Sequence, residues 1–419
     1  MTTPDTVIIV GGGQAGFQAA ASLRDEKFAG RILLIGDEPH LPYQRPPLSK
    51  AALESGAPSI GLSLRPSKFF DDRMIEVRSN EPVSEINRSG RLVKLRSGET
   101  FRYDHLVLAT GTRNRRLPVP GADLDGVCYL RTAADAEALR TKLEQAKHLV
   151  VIGAGFIGLE VSAVARKRGI ATTVFDIASR PMARAVSSLM SDYFRSLHVK
   201  GGAAIYMNIG IATIDGIDGR VAGVTLESGE RLAADLVLAG IGVVPNVELA
   251  AAAGLSVDNG IVVDEFLTTS DPDISAIGDC AAFPFGADGV LIRLESVQNA
   301  TDQGRVLAAK LVGRPARYSS VPWFWSDQGE VKLQIVGLTA GHDEVLVSGE
   351  IDDGCFSVFC FKEKTLVGIE SVNRPADHMA GRRLLKHDVR LSPEHVIAAQ
   401  FDVKAMETQI RAADLEARP

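Results

Sequence analysis

Two glycine-rich turns, each between an apolar strand and a helix, constrain this chain more than any other feature. The first lies in VIIVGGGQAG, where Gly11, Gly13 and Gly16 follow the spacing G-x-G-x-x-G. Glycines at these places allow a tight turn, the approach of a pyrophosphate to the backbone, and close packing of helix on strand. Asp37 follows Gly16 by 21 residues, past a second apolar strand, where a carboxylate holds an adenosine ribose. A ligand-free turn in an α/β protein is the alternative, and this acid disfavours it.

A near copy of the first turn follows in HLVVIGAGFIGLE. Gly153, Gly155 and Gly158 repeat the spacing, and Gly153 lies 142 residues after Gly11. Asp176 ends the next strand, TTVFD, 18 residues past Gly158. Two chance matches with the carboxylate in register at both are improbable, so the sequence predicts two dinucleotide sites.

The composition is that of an ordinary globular protein. The 419 residues suffice for two or three domains with sizeable cores, and the net charge of −6 argues against nucleic acid as a general partner. No apolar run approaches the roughly 20 residues that span a bilayer, and the N-terminus lacks a signal-peptide pattern. The sequence therefore predicts a cytoplasmic protein that does not enter a membrane.

The four cysteines, Cys128, Cys280, Cys355 and Cys360, form no CxxC pair and no spacing that would hold zinc or an iron–sulfur cluster. Cys355 and Cys360 differ by five positions in CFSVFCF, so a regular strand points them to opposite faces. We interpret all four as structural thiols and predict no metal site.

The order of elements predicts an α/β fold with two Rossmann-like dinucleotide-binding domains and a C-terminal α+β domain with an antiparallel sheet. The predicted boundaries are 1–112 with 246–318 for the first domain, 113–245 for the second, and 319–419 for the third. Locally, we expect the first helix to reach Gly30, a helix to begin near Ser49, another to begin near Val297, and two helices to end the chain.

Several motifs in a fixed order carry a family resemblance. They are VIIVGGGQAG, RPPLSK, LVLATG, YLRT, VVIGAGFIGLE, LVLAGIGVVPN, TSDPDISAIGDCA, ESVQNA, PWFWSDQ and VNRP. In this combination, over nearly the whole length, the chain resembles the oxygenase-coupled NADH–ferredoxin reductases of the putidaredoxin reductase type. These belong to the glutathione-reductase-like flavoprotein superfamily and feed electrons to small [2Fe–2S] ferredoxins of P450 and ring-hydroxylating systems.

The resemblance implies FAD at the first turn. The residues implied as FAD contacts are Gly11, Gly13, Ala15, Gly16, Asp37, Arg45, Lys50, Val83, Arg131, Asp279 and Val297. Lys50 matches a lysine beside the flavin, where its charge favours the reduced, anionic ring, although a surface lysine is the alternative. Asp279 follows a strand and a glycine and suits a ribityl hydroxyl, with a helix-capping role as the alternative. Val297 would offer its backbone N–H at a helix start.

The resemblance implies NADH at the second turn. The residues implied there are Gly153, Gly155, Gly158, Glu160, Asp176, Gly242 and Glu295. Asp176 would accept from the adenosine 2′-hydroxyl and repel a 2′-phosphate, which favours NADH over NADPH. Arg180 and Arg184 lie close enough in sequence to offer phosphate ligands and leave that preference open. Glu160 would lie near the nicotinamide and pair with Lys50 without nucleotide, unless it is an ordinary helix-surface acid.

The electron acceptor depends on the C-terminal region. Trp325 matches a tryptophan near the flavin at the ferredoxin-facing surface, a possible electron exit; Trp323 and Trp325 would be equally at home as a core pair. The implied partner is a [2Fe–2S] ferredoxin serving a P450 or a ring-hydroxylating oxygenase. Such a ferredoxin is usually acidic, so we expect a local basic patch, for which Arg65 and Arg305 are weak candidates.

Three other classes compete with this hypothesis. Pyridine-nucleotide disulfide reductases carry redox cysteines near the flavin, and LPYQRPPLSK contains no cysteine. Rubredoxin and monodehydroascorbate reductases share the chemistry with another acceptor, and the WFWSDQ match speaks against them moderately. A flavin-binding signalling protein with low turnover is the third class, and reduction by NADH would exclude it.

Overall fold

The structure, a computed structural model, describes residues 3–54, 62–286, 288–387 and 390–416. Contacts between residues divide the chain into two compact units. The first comprises Met1–Arg45, Ile60–Arg113 and Val243–Ser320, and the second comprises Pro46–Ser59, Asn114–Gly242 and Val321–Pro419. The predicted boundaries of three domains stay a prediction. Among the described residues, no helix is long and apolar enough to cross a membrane.

The first unit is built on a five-stranded parallel sheet. Its strands lie in the order Ile274–Ala276, His105–Leu108, Thr6–Val10, Arg31–Ile35 and Ile75–Arg78. The three inner strands are mostly apolar, as expected of a parallel sheet buried on both faces, and Ile8 is fully buried. The helices Gln14–Asp25 and Val297–Leu311 approach closely at Gly304, where an added Cβ would stand 3.0 Å from the Ala19 nitrogen.

Smaller elements complete the first unit. The strands are the meander Val83–Asn87, Leu92–Leu95 and Thr100–Arg102, the sheet Ile261–Val262, Ala281–Phe285 and Val290–Ile292, and the ribbon Thr112–Asn114 with Val243–Pro245. The helices are Ser67–Asp72 and Glu248–Ala252, with a 3-10 turn at Gly278–Cys280. This turn follows the strand Ile274–Ala276 and so lies at the carboxyl end of the parallel sheet, where such folds bind ligands.

The second unit contains a parallel sheet of the same kind. Its strands lie in the order Ala204–Met207, Ala171–Asp176, His148–Ile152, Leu236–Ala239 and Val127–Cys128. Its helices are Ala133–Leu143, Phe156–Lys167 and Ser188–Lys200. A meander consists of Ile211–Ile217, Arg220–Leu226 and Arg231–Ala233. The unit thus repeats the strand–turn–helix arrangement of the first.

The C-terminal part of the second unit is an antiparallel sheet with helices. Its strands lie in the order Trp323–Gln328, Val331–Gly337, Thr365–Val372, Cys355–Lys362 and Glu344–Glu350. Its helices are Pro375–Leu384, Pro393–Ala398 and Val403–Glu416. The fully buried Phe359 and Phe361 contribute to its core. The predicted fold class, two Rossmann-like domains and an α+β domain, is confirmed.

Three local predictions were wrong and one was confirmed. The first helix ends at Asp25, because Lys27 adopts a positive φ of 66°. In place of a helix near Ser49 there are 3-10 turns at Pro46–Ser49 and Ala51–Leu53, separated by Lys50, whose φ of −128° and ψ of −108° are not helical. Among the described residues near the C-terminus there are three helices rather than two, since Gln400 and Phe401 have positive φ and separate the last two. The helix Val297–Leu311 begins where predicted.

The cysteines match the expectation of structural thiols. Cys128, Cys280 and Cys360 are buried and Cys355 is exposed, so the two cysteines of CFSVFCF do face opposite sides. Burial raises the pKa of Cys128 to about 11 and also raises the pKa of Cys280 and Cys360. These thiols therefore stay protonated near neutral pH and are poor nucleophiles.

Candidate nucleotide-binding sites

The first glycine turn forms an open cradle at the start of a helix. Gly11 has a φ of 120°, and an added Cβ there would stand 2.1 Å from the Ala109 carbonyl oxygen. An added Cβ at Gly16 would stand 2.0 Å from the Gly11 oxygen, so these two glycines are required by packing. Around Gly13, by contrast, an added Cβ would find no described atom within 4 Å. The space above Gly13 faces the unpaired N–H groups of the helix and fits a pyrophosphate.

The two acids after the second strand have different surroundings. Asp37 is exposed, and no described residue bonds to its carboxylate, which leaves it available to a ribose. Glu38 accepts hydrogen bonds from the Tyr43 hydroxyl at 2.5 Å and the Arg45 guanidinium at 2.6 Å. Arg45 also stacks over the Tyr43 ring at 5.1 Å. Glu38 was not among the predicted site residues, although it directly follows the predicted acid Asp37.

Arg45 lies in a negatively charged surrounding within the first unit. Burial alone would lower the pKa of Arg45, but the charges of Tyr43, Glu38 and Asp279 outweigh it and the pKa is raised. Arg45 is therefore a fixed cation near Asp279. Such a cation suits a diphosphate or another anionic group.

Asp279 lies in the turn that packs against the first helix. An added Cβ at Gly278 would stand 2.8 Å from the Cβ of Ala15, which shows how closely this turn approaches the glycine cradle. The 3-10 turn begins after Ile277, which provides no side-chain cap, and the helix at Val297 is capped by Ser296 instead. Neither helix start is capped by Asp279, which disfavours the capping alternative.

The other predicted residues of the first unit are placed as follows. Val297 is the first residue of its helix, a position whose N–H has no intrahelical acceptor. Val83 begins the strand Val83–Asn87. Glu295 pairs with Arg293 at 2.7 Å. Their assigned cofactor contacts stay predictions.

The second glycine turn repeats the geometry of the first. Added Cβ atoms at Gly153 and Gly158 would stand 2.4 Å from the Gly240 oxygen and 2.1 Å from the Gly153 oxygen. At Gly155 an added Cβ again has no described atom within 4 Å. The second cradle therefore offers the same fit to a pyrophosphate.

Asp176 lies beside this second cradle. Its two carboxylate oxygens accept from the backbone N–H of Ala154 at 2.6 Å and of Ala178 at 2.8 Å. Each oxygen keeps a lone pair for a ribose hydroxyl. The carboxylate is thus fixed by backbone groups at the place that the sequence predicted for the adenosine ribose.

The arginines that left the nucleotide preference open differ in their contacts. The Arg180 guanidinium donates to the oxygens of Val186 at 2.8 Å, Ala183 at 2.8 Å and Ser191 at 2.6 Å, so both of its Nη atoms bond within the protein. Arg184 is exposed, and its guanidinium lies 3.4 Å from where a Cβ at Gly242 would stand. Arg180 therefore has fewer N–H groups left for a phosphate than a guanidinium without internal bonds.

A buried carboxylate links three segments of the second unit. Glu160 is 5% exposed and pairs with Lys50 at 2.9 Å. It also accepts hydrogen bonds from the hydroxyls of Ser49 and, at 2.5 Å, Ser326. Glu160 is thus not a surface acid, and the pair expected between Lys50 and Glu160 is present. Both serines were missed, although they stand in the quoted motifs RPPLSK and WFWSDQ.

The remaining predicted residues of the second unit are less decisive. Arg131 is half-buried, and its backbone N–H donates to the carboxylate of Asp135 at 3.0 Å. The Trp323 and Trp325 rings lie 5.8 Å apart on the same side of their strand, and both are half-buried. Arg382 stands 4.1 Å from the Trp323 ring. Partial exposure suits either a docking surface or a core edge.

The candidate docking arginines belong to the first unit. Arg65 is exposed and donates to the Leu64 oxygen, whereas Arg305 is 62% exposed and pairs loosely with Asp302 at 3.5 Å. Within the described part of the chain, no group of three or more His, Cys, Asp or Glu side chains could hold a metal ion.

Family models match most of the chain. The pyridine nucleotide-disulphide oxidoreductase model matches residues 5–304, and the reductase C-terminal model matches residues 323–407. Rhodocoxin reductase of Rhodococcus erythropolis is 56% identical, with 95% of this chain and 93% of that protein covered. Putidaredoxin reductase of Pseudomonas putida is 41% identical, with 94% of both covered.

Solved structures of reductases are also similar to this chain over nearly its whole length. The ferredoxin reductase for the CYP199A2 system from Rhodopseudomonas palustris superposes with a TM-score of 0.93 at 53% identity, covering 96% of this chain and 99% of that one. The reductase in the covalent putidaredoxin reductase–putidaredoxin complex gives 0.92 at 40%, covering 99% of each chain. The predicted oxidoreductase activity is confirmed, and this chain belongs to the pyridine nucleotide-disulphide oxidoreductase family, in the branch with the reductase C-terminal domain.

Proposed function

We propose that this chain is an NADH–ferredoxin reductase that carries FAD and passes single electrons to a [2Fe–2S] ferredoxin, which serves a P450 or another oxygenase. The observation that carries the proposal is the likeness over the whole length, including the C-terminal domain, to reductases named for redoxin partners. The two open glycine cradles supply the matching pair of nucleotide sites. A cytoplasmic location stays a prediction.

In the first unit, the residues around Gly13 would hold FAD. The helix N-terminus would bind the pyrophosphate, Asp37 the adenosine ribose, and Arg45 an anionic group of the cofactor. Asp279, at the carboxyl end of the sheet, would accept from a ribityl hydroxyl, and the Val297 N–H would favour negative charge on the flavin. When bound, FAD accepts a hydride from NADH and releases the two electrons one at a time.

In the second unit, the residues around Gly155 would hold NADH. Asp176, fixed by two backbone N–H groups, would accept from the 2′-hydroxyl and repel a 2′-phosphate. Because both Nη atoms of Arg180 donate to internal acceptors, this side chain is less able to compensate for a 2′-phosphate. The arrangement therefore favours NADH over NADPH.

Lys50 and Glu160 would set the charge near the reacting rings. Lys50 supplies a positive charge that stabilises electron density on a reduced cofactor, and Glu160 balances that charge in the protein without nucleotide. Neither side chain needs to move a proton during hydride transfer, so the chain contributes position and electrostatics.

A rubredoxin reductase is the second candidate, because two relatives of that name, from Pseudomonas putida and Ectopseudomonas oleovorans, are 38% and 37% identical. An assay with each acceptor separates the two functions. We expect NADH-driven reduction of a [2Fe–2S] ferredoxin at least about tenfold faster than that of rubredoxin at equal concentration. The reverse order would replace ferredoxin by rubredoxin in the proposal.

Charge reversal tests the docking surface. If Arg305 meets an acidic ferredoxin, Arg305→Glu raises the KM for ferredoxin and weakens its dependence on ionic strength, while ferricyanide reduction by NADH is unchanged. Lys94→Glu, a change of equal charge at an exposed and loosely paired residue of the same unit, serves as the control. An equal effect of both variants would remove Arg305 from the docking surface.

A further inference from the structure

A chain of buried hydrogen bonds runs from the helix Ser188–Lys200 to the carboxylate of Glu160. The His198 Nε2 lies 3.0 Å from the Gln328 Oε1. The Gln328 Nε2 donates to the Ser326 Oγ at 2.8 Å, and the Ser326 hydroxyl donates to the Glu160 Oε1 at 2.5 Å. His198, Gln328, Ser326 and Glu160 are all at most 6% exposed. These hydrogen bonds lie within the second unit. They connect the helix Ser188–Lys200 to the helix Phe156–Lys167 through the strand Trp323–Gln328.

The donors in this chain all point toward Glu160. An ionised carboxylate only accepts, so Ser326 must donate its single hydroxyl hydrogen to it. The lone pair of Ser326 is then free for the Gln328 amide, whose Nε2 also donates to the Phe156 carbonyl at 3.3 Å. With both N–H groups of Gln328 used, its oxygen faces His198, which must carry its hydrogen on Nε2. Burial lowers the pKa of His198, which keeps the ring neutral.

The hydrogen bond from Gln328 to the Phe156 carbonyl connects this series of hydrogen bonds to the second glycine turn. Phe156 follows Gly155 and begins the helix that carries Glu160 one turn later. Gln328 therefore binds the start of this helix and orients the donor to its carboxylate at the same time. A displacement of Gln328 would disturb both the start of this helix and the orientation of the Ser326 hydroxyl.

We propose that His198, Gln328 and Ser326 are positioning residues that fix the Glu160 carboxylate beside Lys50 in the protein without nucleotide, so that both side chains are in place for hydride transfer when NADH binds. The inference rests on the proposed function for its kinetic consequence. None of the three residues needs to touch a nucleotide. A misplacement of about 1 Å in such a site costs up to about a hundredfold in rate.

The first test examines these hydrogen bonds in the absence of catalysis. In the FAD-loaded protein labelled with ¹⁵N-histidine and free of NADH, we expect His198, assigned by its loss in His198→Gln, to be the neutral Nε2–H tautomer at neutral pH. Its ring proton should exchange slowly and shift when Gln328→Leu removes the acceptor. An Nδ1–H tautomer or a cationic ring at neutral pH would overturn the donor direction and with it the proposal.

The second test uses matched variants at His198 in the FAD-loaded protein. His198→Leu removes the donor, whereas His198→Gln keeps a nitrogen donor near the Nε2 position. We expect His198→Leu and Ser326→Ala to lower the limiting rate of flavin reduction by NADH about tenfold, with the NADH dissociation constant within about twofold. His198→Gln should restore the rate.

The outcomes are distinguishable from failure of the proposed function. His198→Leu, His198→Gln and wild type could show equal limiting rates of flavin reduction, with only a lower melting temperature in the variants. That result would mean that these hydrogen bonds stabilise the fold and do not position Glu160. A wild-type protein that binds FAD but is not reduced by NADH would instead overturn the proposed function. The tautomer measurement still decides the donor direction in that case.

Discussion

Gly155→Ala separates the nucleotide role of the second cradle from its structural role. Gly155 has a φ of −78° and a ψ of −179°, which any residue adopts, and an added Cβ meets no described atom within 4 Å. The substitution should therefore leave folding intact and can stabilise by about 0.4–1 kcal/mol through the unfolded chain. Any loss of NADH binding would then come from the ligand space itself.

The expected loss of affinity follows from the size of the methyl group. It stands about 1.5 Å beyond the Cα, so the pyrophosphate must retreat by a similar distance. Hydrogen bonds of about 2.9 Å to the helix N–H groups then lengthen past their useful range. Two bonds to a charged group are worth about 3–6 kcal/mol together, which corresponds to about 10²–10⁴-fold in the NADH dissociation constant.

The assay is stopped-flow reduction of the FAD-loaded variant over a range of NADH concentrations, together with its melting temperature. Gly158→Ala is the contrasting variant, because its Cβ would stand 2.1 Å from the Gly153 oxygen and should impair folding. Gly13→Ala should lose FAD rather than NADH. If Gly155→Ala retains FAD and binds NADH within about threefold of wild type, the cradle is not the pyrophosphate site.

Three further substitutions test separate parts of the account. Glu38→Ala releases Arg45 and should weaken FAD binding about tenfold in fluorescence titrations of apoprotein. Glu38→Gln keeps an acceptor for Arg45, so its affinity for FAD should be nearer that of wild type. Equal affinities of Glu38→Ala and wild type would show that Arg45 does not need the Glu38 carboxylate to bind FAD. Asp176→Ala exposes two backbone N–H groups and should lower the kcat/KM ratio of NADH to NADPH by at least about tenfold, and an unchanged ratio would contradict the role of Asp176. Burial raises the pKa of Glu370 above its ordinary 4.5, against the lowering effect of hydrogen bonds from Ser187, so the folded state binds this proton more tightly and wild-type stability falls as pH rises above that value. The melting temperature of Glu370→Gln relative to wild type should consequently rise between about pH 5 and pH 8, and a constant difference would mean that Glu370 is already ionised in the folded protein over that range and that its pKa is not raised.

The sequence predicted the fold class and both cradles because their requirements are local. Gly11 and Gly153 need positive φ, and a strand must precede each turn, so a short stretch of letters carries the whole signal. Asp37 and Asp176 were found for the same reason, since a βαβ unit fixes their distance from the glycines.

The chain behind Glu160 could not be predicted because its members are far apart in sequence. Ser49 and Ser326 bond to Glu160 from positions 111 and 166 residues away, and His198 reaches Gln328 across 130 residues. No periodicity in the sequence reports which polar side chains meet in a buried place. Glu38 was missed for another reason, since two adjacent acids fit the same motif and the contacts to Tyr43 and Arg45 distinguish them.

The 3-10 turns around Lys50 show how tertiary structure overrides a local expectation. A helix near Ser49 would place Lys50 and Ser49 on neighbouring faces about 100° apart. In the structure Lys50 has φ −128° and ψ −108°, and both side chains contact the same oxygen of Glu160. The contacts of Ser49 and Lys50 with the distant Glu160 carboxylate thus accompany a non-helical backbone at Lys50, which helix propensity does not predict.

The most direct test of the central claim is the stoichiometry of electron transfer. The FAD-loaded protein is mixed with a limiting amount of NADH and an excess of an oxidised [2Fe–2S] ferredoxin under anaerobic conditions, and ferredoxin reduction is followed by absorbance. The account predicts about two ferredoxins reduced for each NADH consumed, at a rate that falls as ionic strength rises. Oxidation of NADH by the flavin without reduction of any ferredoxin would contradict it.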